Sequence, residues 1–219
     1  MAGVDQRFSA CLIDVYETVV TCDFSMYARE LQKAAGVSPE LWHEAFVTFG
    51  AAVTDGRSSM ADVYSWALRA TGEEPRDDRV RGLVRMDEEL LFEYTCLHED
   101  AVPFLEMLKM RGVASALVSN CAENTRSLLE RLGLAGLVDG MVLSCEIGRA
   151  KPSPEIYRRA LDLLGVEAAT TVFVDDQTAY CEGAEAIGIT ALQISRHGVP
   201  EGKVHSRTIT SLLELDSVL

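Results

Sequence analysis

This sequence predicts an α/β fold, a doubly wound parallel sheet carrying an inserted helical cap. Three observations predict it. Residues 8–13 form an apolar run of strand length. Through 98–219, further apolar runs alternate with stretches whose apolar residues recur at helical spacing. Between these regions, 24–97 shows helical spacing alone. Continuous apolar strands alternating with helices imply a parallel sheet covered on both faces. A run of four helices cannot lie within such a sheet, so it is expected as an insertion after the first strand.

The first run ends in Asp14. Tyr27 and Leu31, then Leu41, Phe46 and Phe49, then Met60, Val63, Tyr64 and Leu68, then Val80, Leu83, Leu90 and Leu91 mark the buried faces of the four helices. Ser38-Pro39 is a good helix start, with serine as N-cap and proline in the first turn. After the insertion, 102–111 is expected as helix. Residues 113–118 form a strand ending in Ser119-Asn120, followed by a helix over 123–132 and a short strand over 140–144. A helix over 153–164 precedes a strand over 171–174 that ends in Asp175-Asp176. A helix over 181–187 and a strand over 190–194 complete the pattern. The expected division is a core of 1–20 with 98–219, and a cap of 21–97.

Composition narrows the partners. The formal net charge of −14 argues against a nucleic-acid backbone or an anionic membrane, though not against a small anionic metabolite at one site. No run approaches the ~20 apolar residues of a membrane span, and the first residues do not read as a signal peptide. The six cysteines form no C-x-x-C pair. Reduced, buried thiols in a cytoplasmic protein are the expectation, and the four histidines suggest no partner for a catalytic cysteine. A monomer and a homodimer are both compatible with the sequence.

Chemistry gathers at the strand ends. Parallel strands place their carboxyl ends on one edge, so Asp14, Ser119, Asn120, Asp175 and Asp176 can converge, with Lys151 arriving from a loop. Such a set supplies a nucleophilic carboxylate, a hydroxyl and an amide to hold an anion, an ammonium to offset charge, and two acids for a divalent metal. Mg²⁺ suits few protein carboxylates completed by water and substrate phosphate.

Four stretches carry a resemblance: Asp14-x-Tyr16-x-Thr18, Val118-Ser119-Asn120, Lys151-Pro152-Ser153-Pro154-Glu155-Ile156-Tyr157, and Phe173-Val174-Asp175-Asp176 with Glu182-Gly183-Ala184. In this order, with helices between the first and second, the chain resembles the haloacid dehalogenase-like (HAD) hydrolase superfamily over essentially its whole length. The resemblance implies a Rossmann-like core. Asp14 would be the nucleophile that forms an aspartyl intermediate. Ser119 would hold a phosphoryl or carboxylate oxygen, Lys151 would steady the nucleophile, and Asn120 would contact substrate or orient backbone. Tyr16 and Thr18 complete the catalytic set. Mg²⁺ would be bound by Asp14, the Tyr16 backbone carbonyl, Asp175 and Asp176.

The first motif departs from the phosphatases of the superfamily, which carry a second aspartate where this chain has Tyr16. Tyrosine, with a pKa near ~10, is a poor base at neutral pH, and losing a general acid–base costs about 10²–10⁴ in rate. Dehalogenases of the superfamily have tyrosine there, work without metal, and lack the acidic pair of the fourth motif. The expected activity is therefore a Mg²⁺-dependent phosphatase acting on a small phosphorylated metabolite. A 2-haloacid dehalogenase-type hydrolase and a weakly active or non-catalytic binding protein are the alternatives. Glu17 stands where the family has glycine, and it strains the turn if φ is positive there. In the cap, Arg29, Lys33, Arg57 and Arg69 are candidate anion contacts. Of Tyr27, Trp42, Phe46, Phe49, Tyr64 and Trp66, one or two are expected to line the cleft.

Overall fold

A computed structural model of the chain describes residues 8–196 and 205–217. The expectation for the first residues, and His197, lie outside the described residues. The first strand, β1 (Ala10–Ile13), is followed by β2 (Val20–Cys22). Four helices come next: α1 (Phe24–Ala35), α2 (Pro39–Thr54), α3 (Met60–Ala70) and α4 (Asp77–Glu93). The helical block thus ends at Glu93 and not at 97. The short strand β3 (Thr95–Leu97) pairs antiparallel with β2, because the chain leaving and re-entering the core runs side by side and satisfies its own backbone.

The remainder alternates as expected. It comprises α5 (Ala101–Arg111), β4 (Ala114–Ser119), α6 (Asn124–Arg131), β5 (Gly140–Leu143), α7 (Ser144–Ile147), α8 (Pro154–Leu164), β6 (Thr171–Asp175), α9 (Thr178–Glu185), β7 (Thr190–Ile194) and β8 (Thr208–Ile209). The six-stranded sheet has the order β5-β4-β1-β6-β7-β8, and every pair in it is parallel. Three elements depart from the sequence expectation. The four-residue α7 and two-residue β8 are too short to show a period. Helix α9 starts at Thr178 and not at 181, because its first turn is polar and only Cys181 and Ala184 carry the buried face.

Three apolar clusters hold the molecule. Phe104, Leu105 and Leu108 of α5 and Leu129 of α6 pack on one face of the sheet with Leu212 and Leu215. Ile156, Tyr157, Ala160, Cys181 and Ala184 of α8 and α9 cover the other. The cap helices bury their own core around Leu31, Trp42, Tyr64 and Leu68. Ser38 caps α2, accepting from the Leu41 N–H at 3.3 Å, and Pro39 occupies the first turn, as the sequence predicts. Among the described residues no helix is long and apolar enough to cross a membrane. All six cysteines are free, but Cys96 is exposed and Cys145 half-buried, which corrects the expectation of uniformly buried thiols. Cys96 lies on β3, whose outer face nothing covers, so the apolar context of its neighbours does not shelter it.

Candidate active site

Register builds the site. Ile13 lies level with Leu117 on β4 and with Val174 on β6, so one step further Asp14 stands beside Asp175 at the carboxyl edge. The Asp14 N–H donates to the Val174 carbonyl at 2.9 Å and pins that position. Beyond Asp14 the chain turns sharply: the Val15 carbonyl accepts from the Val19 and Val20 N–H groups at 2.8 and 3.0 Å. Glu17 takes φ +57°, the left-handed region that favours glycine, so the suspected strain is present in this turn.

Lys151 enters from the loop between α7 and α8 and is only 4% exposed. Its ammonium donates to Asp14 Oδ1 at 2.5 Å and to Asp175 Oδ2 at 2.6 Å. Asn120 fixes this loop. Its Nδ2 donates to the Lys151 carbonyl at 2.9 Å, and its Oδ1 accepts from the Lys151 N–H at 2.7 Å. Of the two roles expected for Asn120, the geometry gives it backbone orientation. Gly183 on α9 allows the same loop to approach: a Cβ there would lie 2.8 Å from the Pro152 Cβ.

Carboxylate oxygens of Asp14, Asp175 and Asp176 lie within 4.8 Å of one another. Three acids face one ammonium, an excess of two negative charges suited to a divalent cation. Burial, then the neighbouring Asp14 charge, pushes the Asp176 carboxyl up to about 6 and raises Asp175 as well. For Lys151, burial opposes the charged form, but Asp14 and Asp175 outweigh it and hold the ammonium above its usual range. Asp175 is fully engaged, since its Oδ1 also accepts from the Gln177 N–H at 2.8 Å. Asp176 is the less committed acid. Among the described residues no backbone N–H donates to the Tyr16 carbonyl. The donor set therefore fits a hard divalent cation.

Ser119 Oγ, at the carboxyl end of β4, is buried with no hydrogen-bond partner among the described residues. The Tyr16 hydroxyl is 3.0 Å from Thr125 Oγ1, and burial raises its pKa above the usual tyrosine value. Thr18 sits where the chain leaves the core. Its carbonyl accepts from Arg196, and its Oγ1 is buried without a partner among the described residues. The four candidate cations of the cap lie on its solvent side. Arg29 and Arg69 are exposed, Lys33 pairs with Glu30, and Arg57 pairs with Asp55, because long cationic side chains gain more from water than from an apolar cleft.

Sequence reasoning missed several positioning residues. Gln193 on β7 donates to the Asp176 carbonyl at 2.8 Å and accepts from Thr178 at 3.1 Å, holding the fourth motif from behind. Its only signal was a polar residue inside an apolar strand. Thr125, Ser144 and Arg196 gave none.

A family model described as haloacid dehalogenase-like hydrolase matches residues 8–188. "Phosphatase MT3486" of Mycobacterium tuberculosis is 34% identical over 58% of this chain, and the chain spans 56% of that relative's length. "(S)-2-haloacid dehalogenase 4A" of Burkholderia cepacia is 26% identical over 87% of this chain and 84% of its own. A HAD family enzyme of Bacteroides thetaiotaomicron, solved with magnesium and inorganic phosphate, has the same fold. It gives a TM-score of 0.70 at 17% identity, over 89% of this chain and 98% of its own.

Proposed function

The chain belongs to the haloacid dehalogenase-like hydrolases, and on that premise we propose that it is a Mg²⁺-dependent phosphatase with Asp14 as nucleophile, working on a small phosphorylated metabolite under a cap of residues 21–97. The observation that carries this reading is the charge count. Among the described residues Asp14, Asp175 and Asp176 face one cation, Lys151, and an anionic substrate cannot approach such a site unless a further cation restores the balance. The residues that would hold Mg²⁺ are Asp14, Asp176, the Tyr16 carbonyl and, through its position, Asp175. Bound there, the ion supplies charge neutralisation at the transferring phosphoryl group.

The chain's own residues do the rest. Lys151 occupies Asp14 Oδ1, leaving Oδ2 to attack phosphorus and form an aspartyl phosphate. The unpartnered Ser119 hydroxyl donates to a phosphoryl oxygen. Asn120 holds Lys151 in place by two backbone bonds. Thr18 supports the loop through its carbonyl, which accepts from Arg196.

Tyr16 favours the second reading, a metal-free hydrolysis of a carbon–halogen bond, since a halide leaves without a proton. One experiment separates the two. Phosphate release from a panel of monoesters and halide release from 2-chloropropionate are measured with Mg²⁺ and with EDTA, on the wild type and Asp14→Asn. The phosphatase reading expects phosphate release that EDTA and Asp14→Asn both abolish. Halide release that survives EDTA overturns it.

A further inference from the structure

Between the cap and the strand ends lies a cavity of about 370 Å³ that shares Tyr16 and Asn120 with the site. From its shape and chemistry we propose that the substrates are phosphate monoesters of phenols, the aromatic ring seated in this chamber. The proposal rests on the phosphatase reading above. It departs from the sugar-like or nucleotide-like esters that a polar cleft would take.

The chamber is apolar in effect as well as in composition. The cap contributes Phe24, Phe46, Val53 and Met60, and no Lys, Arg, His, Asp or Glu side chain lines it among the described residues. Of its polar side chains, Asn120 is spent on the Lys151 backbone and Thr125 is paired with Tyr16. Asn124 Nδ2 donates to the buried Asp87 at 3.0 Å. Thr54 and the Cys121 thiol have no bond of this kind among the described residues. A sugar would bring several hydroxyls here, each costing about 1–3 kcal/mol if left unpaired. A hydrocarbon ring gains about 25 cal/mol per Å² buried. Tyr16 and Phe24, with ring centroids 5.4 Å apart, and Phe24 and Tyr27, 6.2 Å apart, form an aromatic wall against which another ring can pack.

Tyr16 selects on chemistry as well as shape. It stands where a leaving-group acid is needed, yet its hydroxyl lies 3.0 Å from Thr125 Oγ1 and burial makes it hold its proton more tightly than an ordinary tyrosine. A leaving oxygen that departs as an anion therefore loses least from this replacement. A phenolate does so near neutral pH, whereas an alkoxide does not. Asp14 Oδ2 bonds to phosphorus as the phosphorus–oxygen bond to the ring breaks, and the electron pair leaves on the phenolate. Water then attacks the aspartyl phosphate, an activated anhydride, and releases inorganic phosphate and the Asp14 carboxylate. The proton lost by that water ends on the phenolate, so one water is consumed and no other reactant is needed.

The test compares kcat/KM, with Mg²⁺, for phenyl phosphate, cyclohexyl phosphate and glucose 6-phosphate. Phenyl phosphate is expected to exceed each of the others by about 100-fold or more, the lower bound of what a missing acid costs. Tyr16→Asp is expected to narrow the phenyl-to-cyclohexyl ratio at least tenfold by supplying an acid. Gly50→Asp puts a carboxylate at the chamber wall without a steric clash, because a Cβ at Gly50 meets nothing within 4 Å, and a denaturant titration of the variant separates a folding cost from a binding effect. It is expected to raise KM for phenyl phosphate about tenfold or more. Glucose 6-phosphate turned over as fast as phenyl phosphate, or a KM untouched by Gly50→Asp, overturns the proposal and leaves the phosphatase reading standing. No phosphate from any ester, with halide release intact, overturns both.

Discussion

At the scale of single residues, Lys151 decides whether the site can exist before any ligand arrives. Its ammonium bridges the buried carboxylates of Asp14 and Asp175. Removing one partner of a buried ion pair leaves an uncompensated charge and costs about 3–5 kcal/mol. Lys151→Met is therefore expected to lower metal-free stability by that amount in a denaturant titration, with added Mg²⁺ recovering part of the loss. Asp176 sets a pH dependence. Its carboxyl titrates at about 6 in the folded chain, against ~3.9 when unfolded. Between these values the folded state holds the extra proton, so this group makes the metal-free protein less stable as pH rises from about 4 to about 6. With Asp176 among the proposed ligands, Mg²⁺ has to displace that proton, so its affinity is expected to fall as pH drops through about 6. Isothermal titration across pH 5–8 checks the sign, and an affinity that is flat or rises toward acid contradicts it.

At the scale of elements, the site is held by close packing between pieces far apart in sequence. Helix α9 lies against the Lys151-Pro152 loop only because Gly183 has no side chain. A Cβ there would meet the Pro152 Cβ at 2.8 Å and the Pro152 carbonyl oxygen at 2.9 Å. Gly183→Ala is expected to cost about 1–3 kcal/mol as overpacking and to shift Lys151 off Asp14. The expected kinetic signature is a fall in kcat with Mg²⁺ affinity little changed, since Asp176 is anchored separately by Gln193. The cap meets the core in the same fashion. Glu123 accepts from the Met60 N–H at the start of α3 at 2.7 Å, and Gly56 sits against the Cys145 carbonyl. The first of these contacts holds Met60, which lines the chamber, against the core.

At the scale of the whole molecule, the two linkers joining cap to core are clamped at one point. Arg196, just past β7, donates to the Thr18 carbonyl on the outgoing linker and to Asp100 Oδ2, at 2.7 Å, after the returning one. The Leu212 N–H also donates to that oxygen at 2.8 Å, tying in the last described segment. Arg196→Leu removes the counter-charge from the half-buried Asp100 carboxylate, which keeps its bonds from Ser211 and Leu212, and is expected to cost about 1–3 kcal/mol. Hydrogen exchange should then accelerate at the Val19 and His98 amides, near the hinge, more than in the central strands. Uniform acceleration would mean that Arg196 supports the fold as a whole and has no special part at the hinge.

The sequence by itself determined the alternation of strands and helices and the run of four helices, and it picked out Asp14, Lys151, Asp175 and Asp176, which the structure brings together at one edge of the sheet. Periodicity and strand ends are local signals, written in runs of a few residues. It also exposed the strain at Glu17, since a side chain where glycine is usual is visible without coordinates. Only the tertiary structure decided that Asn120 grips backbone, that Tyr16 is tied to Thr125, that the cap cations face solvent, and that the cleft is apolar. Each of these depends on which groups meet across gaps of tens of residues. Hydrogen-bond partners and the lining of a cavity are properties of contacts, and a linear pattern does not encode them until register and packing bring the segments together.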